Sequence, residues 1–347
     1  MKPRLCTFRG PLTLACLLIA LIGPLSAEDS STKSDAPRSG LVVPATLRVP
    51  EAFSRATPSG LEDLRAMEQH VRLLGEKLPA CTVAVQIGNS QGSGVIISPQ
   101  GDILTCAHVI GRPGRRCSII LSDGKRRQGE TLGAVTILDG GMIRITDPAP
   151  TGGWPYAAMA KYSSIKLGDW CLATGHPGGY RADRPSVVRL GRVIFRNPRI
   201  LQSDCELVGG DSGGPLFDMH GRVIAINSKI QDDPTANYHV PISVYQGGRK
   251  YMAEGQVLNS FDPVLGVWGE RIEGGLKVTK VFPGDPAEAA GLRVGDVIVT
   301  FNSRPVNTPE RLADLVSEEI PGVEVFLEIL RDGKPMEMSV ELGLRKS

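Results

Sequence analysis

Aromatic residues make up only 5% of this 347-residue chain, too few to interleave a basic surface with base-stacking rings. Charge of one sign is also missing. With 39 Lys and Arg against 37 Asp and Glu, the net charge is +2, so no strong field gathers a polyanion and no nucleic-acid partner is expected. Long hydrophobic runs are scarce: the apolar stretch at 12–22 falls short of the ~20 residues a spanning helix needs. No phosphate loop occurs and the cysteine and histidine spacings match no zinc site, so neither a cofactor nor a metal is expected.

What the chain does have is glycine and proline, 41 and 26 residues, the composition of short strands joined by tight turns. Apolar content of 41% with 22% charge is enough for a sizeable core in two or three domains. Lys2, Arg4 and Arg9 precede the apolar 12–22 stretch, and Leu25-Ser26-Ala27 follows it. Residues 1–27 thus read as a signal peptide, implying a periplasmic or secreted protein, with a retained membrane anchor as the alternative that the short apolar core argues against. Residues 28–58, rich in Ser, Pro, Ala and Lys, read as a flexible linker. An amphipathic helix is expected over 59–78: Ser59 and Glu62 form a capping box, and Leu64, Met67, Val71 and Leu74 share a face until Gly75 and Pro79. It either packs on the next domain or joins subunits. Beyond residue 27 stand five cysteines, Cys81, Cys106, Cys117, Cys171 and Cys205; the number is odd, so at least one is free or intermolecular, and the pairing is open.

The chemistry concentrates in Gly209-Gly210-Asp211-Ser212-Gly213-Gly214-Pro215, downstream of Thr105-Cys106-Ala107-His108. To attack an amide, a serine hydroxyl must lose its proton at neutral pH, and histidine is the usual base. Negative charge then grows on the carbonyl oxygen. Glycines beside Ser212 allow a tight turn that aims backbone N–H groups of the Gly210-Asp211-Ser212 segment at one point, an oxyanion hole. Of the five histidines only His108 follows an apolar strand-like run into a small-residue turn, while His176 and His239 read as structural. Asp139, at the start of Asp139-Gly140-Gly141-Met142-Ile143, is the candidate for orienting the imidazole. The order His, Asp, Ser is that of chymotrypsin.

Gly92-Ser93-Gly94-Val95-Ile96 running to His108, then 168–177, and then 203–227 around Ser212, together resemble the HtrA (Deg) branch of chymotrypsin-like serine proteases. The resemblance extends from about residue 81 to 343. It implies a mainly β fold, two six-stranded antiparallel β-barrels at 79–246 and an α+β PDZ domain at 263–345; Gly247-Gly248-Arg249 and the polar stretch after it read as the break between them, a linker at 247–262. Val264-Leu265-Gly266-Val267 resembles the carboxylate-binding loop of such a domain, supported by 281–292 and by Gly295-Asp296-Val297-Ile298. There Asp285 is expected to cap a short helix opened by Pro286 and closed by Gly291, and a second helix to start at Thr308-Pro309. PDZ domains bind peptides by strand addition. The implied function is an exported endopeptidase for unfolded or misfolded proteins, with peptide ligands on its PDZ domain and a trimer as the implied assembly. The alternative is a weakly active or inactive protease-fold binding protein.

Three departures from the family pattern stand out. Asp211 replaces the usual asparagine; in animal trypsins that aspartate pairs with a new N-terminus, so here a side-chain or backbone donor is expected instead. Gly140-Gly141 replaces apolar residues, which suggests a looser strand behind Asp139. Glu206, six before Ser212, stands where trypsins carry an acidic S1 residue, whereas the resemblance implies small aliphatic P1 side chains.

Overall fold

The computed structural model describes residues 40–55, 57–229 and 236–345. The expected signal peptide lies outside them. The expected linker over 28–58 is corrected for its described portion, because single residues anchor it. Gly40–Leu41 pairs in parallel with Pro155–Tyr156, Val43 and Ala52 are buried, and Phe53 packs 5.4 Å from the His70 ring and 6.1 Å from Trp170. Anchors this sparse leave no periodicity to read.

Helix α1 spans Leu61–Lys77. Its expected Ser59–Glu62 box is replaced by Asp63, whose Oδ2 accepts from the Ser59 backbone N–H (2.8 Å) and hydroxyl (2.6 Å) while pairing with Arg55 at 2.8 Å. Met67, His70 and Leu74 are buried, and His70 Nε2 meets Met219 O at 2.7 Å. The helix therefore packs on the protein. Leu64, expected on that face, is exposed, as is Leu61.

Six strands follow: β1 (Thr82–Ile87), β2 (Ser90–Ile96), β3 (Asp102–Cys106), β4 (Arg116–Ile120), β5 (Arg126–Val135) and β6 (Gly140–Ile145). They pair in the order β5-β4-β1-β2-β3-β6, and β5–β6 pairing closes the ring. A second closed barrel holds β7 (Trp170–Gly175), β8 (Val187–Asn197), β9 (Ile200–Ser203), β10 (Pro215–Asp218), β11 (Val223–Lys229) and β12 (Asn237–Pro241), in the order β8-β9-β12-β11-β10-β7. The two share one hydrophobic core. Strand β3 is buried at every residue, so its sequence reads as a continuous run and not as an alternation.

The expected linker at 247–262 is a second correction. A helix, Ile242–Ala253, takes up its first part, to residue 253; a one-turn helix, Ala107–Ile110, precedes it in the chain, so these are α2 (Ala107–Ile110) and α3 (Ile242–Ala253). Arg249 of α3 donates to Asp102 Oδ2 at 3.0 Å, and Arg144 reaches Oδ1 at 2.7 and 2.9 Å. Burial raises the Asp102 carboxyl, but the two guanidinium groups outweigh it and hold it below its ordinary value. Gly247 and Gly248 mark close approach and not a break: a Cβ on Gly247 would overlap Pro321 O, and one on Gly248 would lie 2.9 Å from Val135 Cγ2.

The C-terminal sheet runs β13 (Val267–Ile272), β14 (Gly275–Val281), β15 (Val297–Phe301), β16 (Glu324–Arg331), β17 (Lys334–Glu341) in sequential order. Helices α4 (Pro286–Ala289) and α5 (Pro309–Ser317) complete it around a separate core that includes Leu276, Phe301, Leu312 and Leu315. As expected, α5 starts at Thr308-Pro309, where Thr308 Oγ1 accepts from Arg311 N at 3.1 Å. Asp285 occupies the cap position of α4, yet its side chain makes no capping bond.

Replacing Gly247 with Ala sets two effects against each other. Alanine favours a helix interior by ~1 kcal/mol, while overlap with the Pro321 carbonyl costs roughly 1–3 kcal/mol. Gly247→Ala is expected to lower the Tm in calorimetry; an unchanged or higher Tm would mean that the 320–322 turn yields.

Candidate active site

Register brings His108 and Asp139 together. Cys106 pairs with Gly140 and Thr105 with Gly141 between β3 and β6, so the residues just past β3 and just before β6 meet at one end of the first barrel. Ala107 N donates to Asp139 O at 2.9 Å. The Asp139 carboxylate accepts from the His108 backbone N–H at 3.0 Å and lies 2.9 and 3.1 Å from His108 Nδ1. Asp139 has φ 60°, a left-handed conformation that aspartate tolerates better than most residues. Its second partner comes from the other barrel: Ser228 Oγ, on β11, donates to Oδ2 at 2.5 Å. Burial raises the Asp139 carboxyl, but the bonds from His108 and Ser228 outweigh it and hold it below its ordinary value.

The Gly140-Gly141 pair does not loosen β6. A Cβ on Gly141 would lie 2.8 Å from Cys106 O, so glycine lets the two strands approach closely enough to carry Asp139 to His108. The space beside Gly140 is filled by the Tyr245 ring, 3.6 Å from a Cβ built there, with its hydroxyl donating to Thr105 O at 2.7 Å.

Ser212 lies in the turn before β10, and its Oγ donates to Ser228 O at 3.2 Å. Ser228 therefore touches both the nucleophile candidate and the aspartate. Among the described residues no acceptor is found for the N–H of Gly210 or of Ser212, leaving two donors beside the serine for an oxyanion. Asp211, expected as a third, is different: its N–H is taken by Val208 O at 3.1 Å. Cys106 Sγ, His108 and Asp139 present ligand atoms within 4.8 Å of one another. They do not make a metal cage. Burial and then the Asp139 charge push the Cys106 thiol well up, its Sγ donates to Asn227 O at 3.0 Å, and both Asp139 oxygens are engaged.

All five described cysteines are free and buried. Burial lowers the pKa of His176 to about 4 and of His239 to about 3, so both are neutral; His239 is bonded to Ser203 Oγ (2.7 Å) and Asn227 Oδ1 (3.0 Å). A cleft of about 480 Å³ opens beside Asp139 and Ser228, with Ile137, Ile200, Tyr238 and Val240 in its walls. Glu206 is exposed and lines no part of it. In the C-terminal domain, Val264, Leu265, Gly266 and Val267 all line a groove of about 820 Å³, opposite Leu312, Ala313 and Val316 of α5. Strand β13 is the edge of its sheet, free on one side for an added strand.

Sequence reasoning missed Ser228 and Arg189. The first stands one residue beyond the β11 segment that resembles the family; the second is an unremarkable strand arginine. Asp211 is 1% exposed, with Oδ2 accepting from Val208 N at 3.0 Å and 3.1 Å from Arg189 Nη1. The expected donor is thus the backbone N–H of Val208, with Arg189 adding an ion pair and no hydrogen bond from Nη1. Burial raises the Asp211 carboxyl, and Val208 N–H and Arg189 offset only part of the rise. A raised carboxyl binds its proton more readily in the folded state, so its contribution to stability falls as the pH rises through the interval above its ordinary value. Removing Arg189 leaves the buried charge without its cation. Arg189→Gln is expected to destabilise the protein by on the order of 3 kcal/mol near neutral pH, and by less in acid, where Asp211 is protonated. Denaturant melts at both pH values check this; equal losses at the two would exclude the ion pair as the cause.

Comparison with known proteins agrees with these two regions. A trypsin-like peptidase domain is matched over residues 92–226 and a PDZ domain over 263–342. The periplasmic pH-dependent serine endoprotease DegQ of Escherichia coli K12 is 27% identical, with 95% of this chain and 74% of DegQ covered. The HhoA protein of Synechocystis sp. is 30% identical over 72% of this chain and 70% of its own length. Among solved structures, an HtrA-type protease AlgW with a tripeptide shares the fold at a TM-score of 0.50 and 24% identity, covering 80% of this chain and 98% of AlgW. The chain belongs to the HtrA family of serine endoproteases, a trypsin-like peptidase domain followed by a PDZ domain.

Proposed function

We propose that this protein is an exported endopeptidase that cleaves unfolded or misfolded polypeptides through Ser212, His108 and Asp139, and that its PDZ groove holds peptide ends or extended segments for capture or activation. The observation that carries the reading is the Asp139 carboxylate, bonded at once to the His108 ring, the His108 backbone N–H and the Ser228 hydroxyl. An ionised carboxylate only accepts, so the imidazole keeps its proton on Nδ1 and offers the Nε2 lone pair as base. Ser212 Oγ turns from Ser228 O to Nε2, gives up its proton and attacks the scissile carbonyl. The N–H groups of Gly210 and Ser212 receive the oxyanion. His108 then protonates the leaving amine, and water releases the acyl group by the same steps in reverse order.

Export rests on the 1–27 pattern and on relatives named as periplasmic; no helix of the described residues is long and apolar enough to cross a membrane. Exposed Leu61 and Leu64 on α1 suit the subunit contact of a trimer. The exposed Glu206, which lines no part of the cleft beside Asp139, is poorly placed to bind a basic P1 side chain, and the family resemblance then favours aliphatic P1 residues. Cleavage-site profiling of an unfolded protein is expected to give cuts after small aliphatic residues; cuts chiefly after Lys or Arg would refute that preference.

A second reading, a weakly active or inactive binding protein, draws on Ser212 Oγ resting on Ser228 O and not on His108. A fluorophosphonate probe separates the two. It is expected to label the wild-type chain and not Ser212→Ala, and Asp139→Asn is expected to lower kcat roughly 10³- to 10⁴-fold. Absence of labelling, with PDZ peptide ligands present as well, would favour the binding protein.

A further inference from the structure

We infer that Ser93 is a positioning residue for the oxyanion hole: its hydroxyl, reaching from the first barrel, holds the Gly210 peptide of the second. The inference rests on the protease reading above and adds a residue to it.

Ser93 lies on β2 and is fully buried. Its Oγ donates to Gly210 O at 2.8 Å and accepts from His176 N at 3.0 Å. Its backbone is tied to the same loop, since Ser93 N donates to Ser212 O at 2.8 Å, and Thr105 Oγ1 fixes Ser93 O at 2.8 Å. The adjoining peptide is held as well: Gly178 N donates to Gly209 O at 2.6 Å. The two peptide planes that meet at Gly210 are therefore each pinned by their carbonyl oxygen.

Planarity turns this into a statement about the hole. In a trans peptide the N–H points opposite to the C=O, so with Gly209 O directed at Gly178 the Gly210 N–H is directed away from it, and it has no protein acceptor among the described residues. Rotating the 209–210 plane would replace that donor with a carbonyl oxygen and abolish the hole. It would also break the Gly178 bond and displace Gly210, whose carbonyl Ser93 holds. The loop is rich in glycine, with Gly210 at φ 98° and Gly213 at φ 87°, and glycine resists such rotation least. A hydroxyl from a closed barrel supplies the restraint that the loop's own sequence lacks. Ser93 touches neither Ser212 Oγ nor His108 through its hydroxyl, so its effect is on donor placement and not on proton transfer.

Loss of a whole oxyanion donor lowers kcat by roughly 10²- to 10³-fold. Loss of the group that holds one should cost less, roughly 10- to 10²-fold. The test compares wild type with Ser93→Ala and with Ser93→Cys, which retains a weak donor, by kcat and KM on an unfolded protein substrate and by the affinity of a peptide boronate, whose tetrahedral oxygen occupies the hole. The expected result is a lower kcat with KM within about twofold, boronate affinity falling in parallel, an unchanged pH profile, and Ser93→Cys between wild type and Ser93→Ala. Rates are referred to folded protein measured by circular dichroism; if Ser93→Ala does not fold, Ser93→Cys carries the comparison alone. Unchanged kcat and boronate affinity, or a fall in folded fraction with normal kcat, would overturn the proposal. A wild-type chain that neither cleaves nor takes a fluorophosphonate would instead overturn the protease reading on which it stands.

Discussion

The rest of the site depends on how the Asp139 carboxylate is satisfied. It is largely removed from water, and a carboxylate so placed tends toward its neutral form unless donors replace the lost hydration. Three do: the His108 ring, the His108 backbone N–H and the Ser228 hydroxyl. Two of these come from the first barrel and one from the second, so the charge that orients the imidazole is stable only while the barrels are docked. The same contact brings Ser228 O to Ser212. Ser228 thus links Ser212 to Asp139, and through it to His108, the residues proposed as nucleophile and base.

What the sequence disclosed followed from local constraint. His108 and Ser212 each sit in a turn that requires small residues, and such turns leave a readable string. Asp139 was legible through its position ahead of β6, and the PDZ loop through glycine and alternation. The missed groups act across long sequence gaps. Ser228 reaches Asp139 over 89 residues and Ser93 reaches Gly210 over 117; Ser93 stands inside one segment that resembles the family and Ser228 just past another, but neither string says what its hydroxyl meets. Arg189, on a strand otherwise ordinary in composition, supplies the cation for Asp211. Glycine was read as a sign of looseness at 140–141 and of a break at 247–248. In both places it permits backbone to approach backbone or side chain closely, and spacing alone does not distinguish the two uses.

That misreading bears on how the protease and PDZ domains are joined. Helix α3 occupies residues 247–253 of the segment expected as a linker, and Gly247 packs on the 321–322 turn of the C-terminal domain. Ile320 and Phe261 are buried in the core of the barrels, while Val323 packs against both cores. A joint with buried apolar residues on each side resists the independent motion expected of a flexible tether. Arg199, on the wall of the cleft beside Asp139 and Ser228, also reaches Ser317 O at the end of α5, the helix that lines the groove of the C-terminal domain.

On the proposed mechanism, the anchoring of the 209–212 loop narrows what separates the resting arrangement from a reactive one. Gly209 O and Gly210 O are both held, Asp211 is anchored by Val208 and Arg189, and the imidazole is fixed by Asp139. Ordering these groups costs conformational entropy during folding, so little of that cost remains when substrate binds. The Ser212 hydroxyl alone is directed elsewhere, at Ser228 O. Turning it from Ser228 O toward His108 involves rotation about its Cα–Cβ bond between staggered wells.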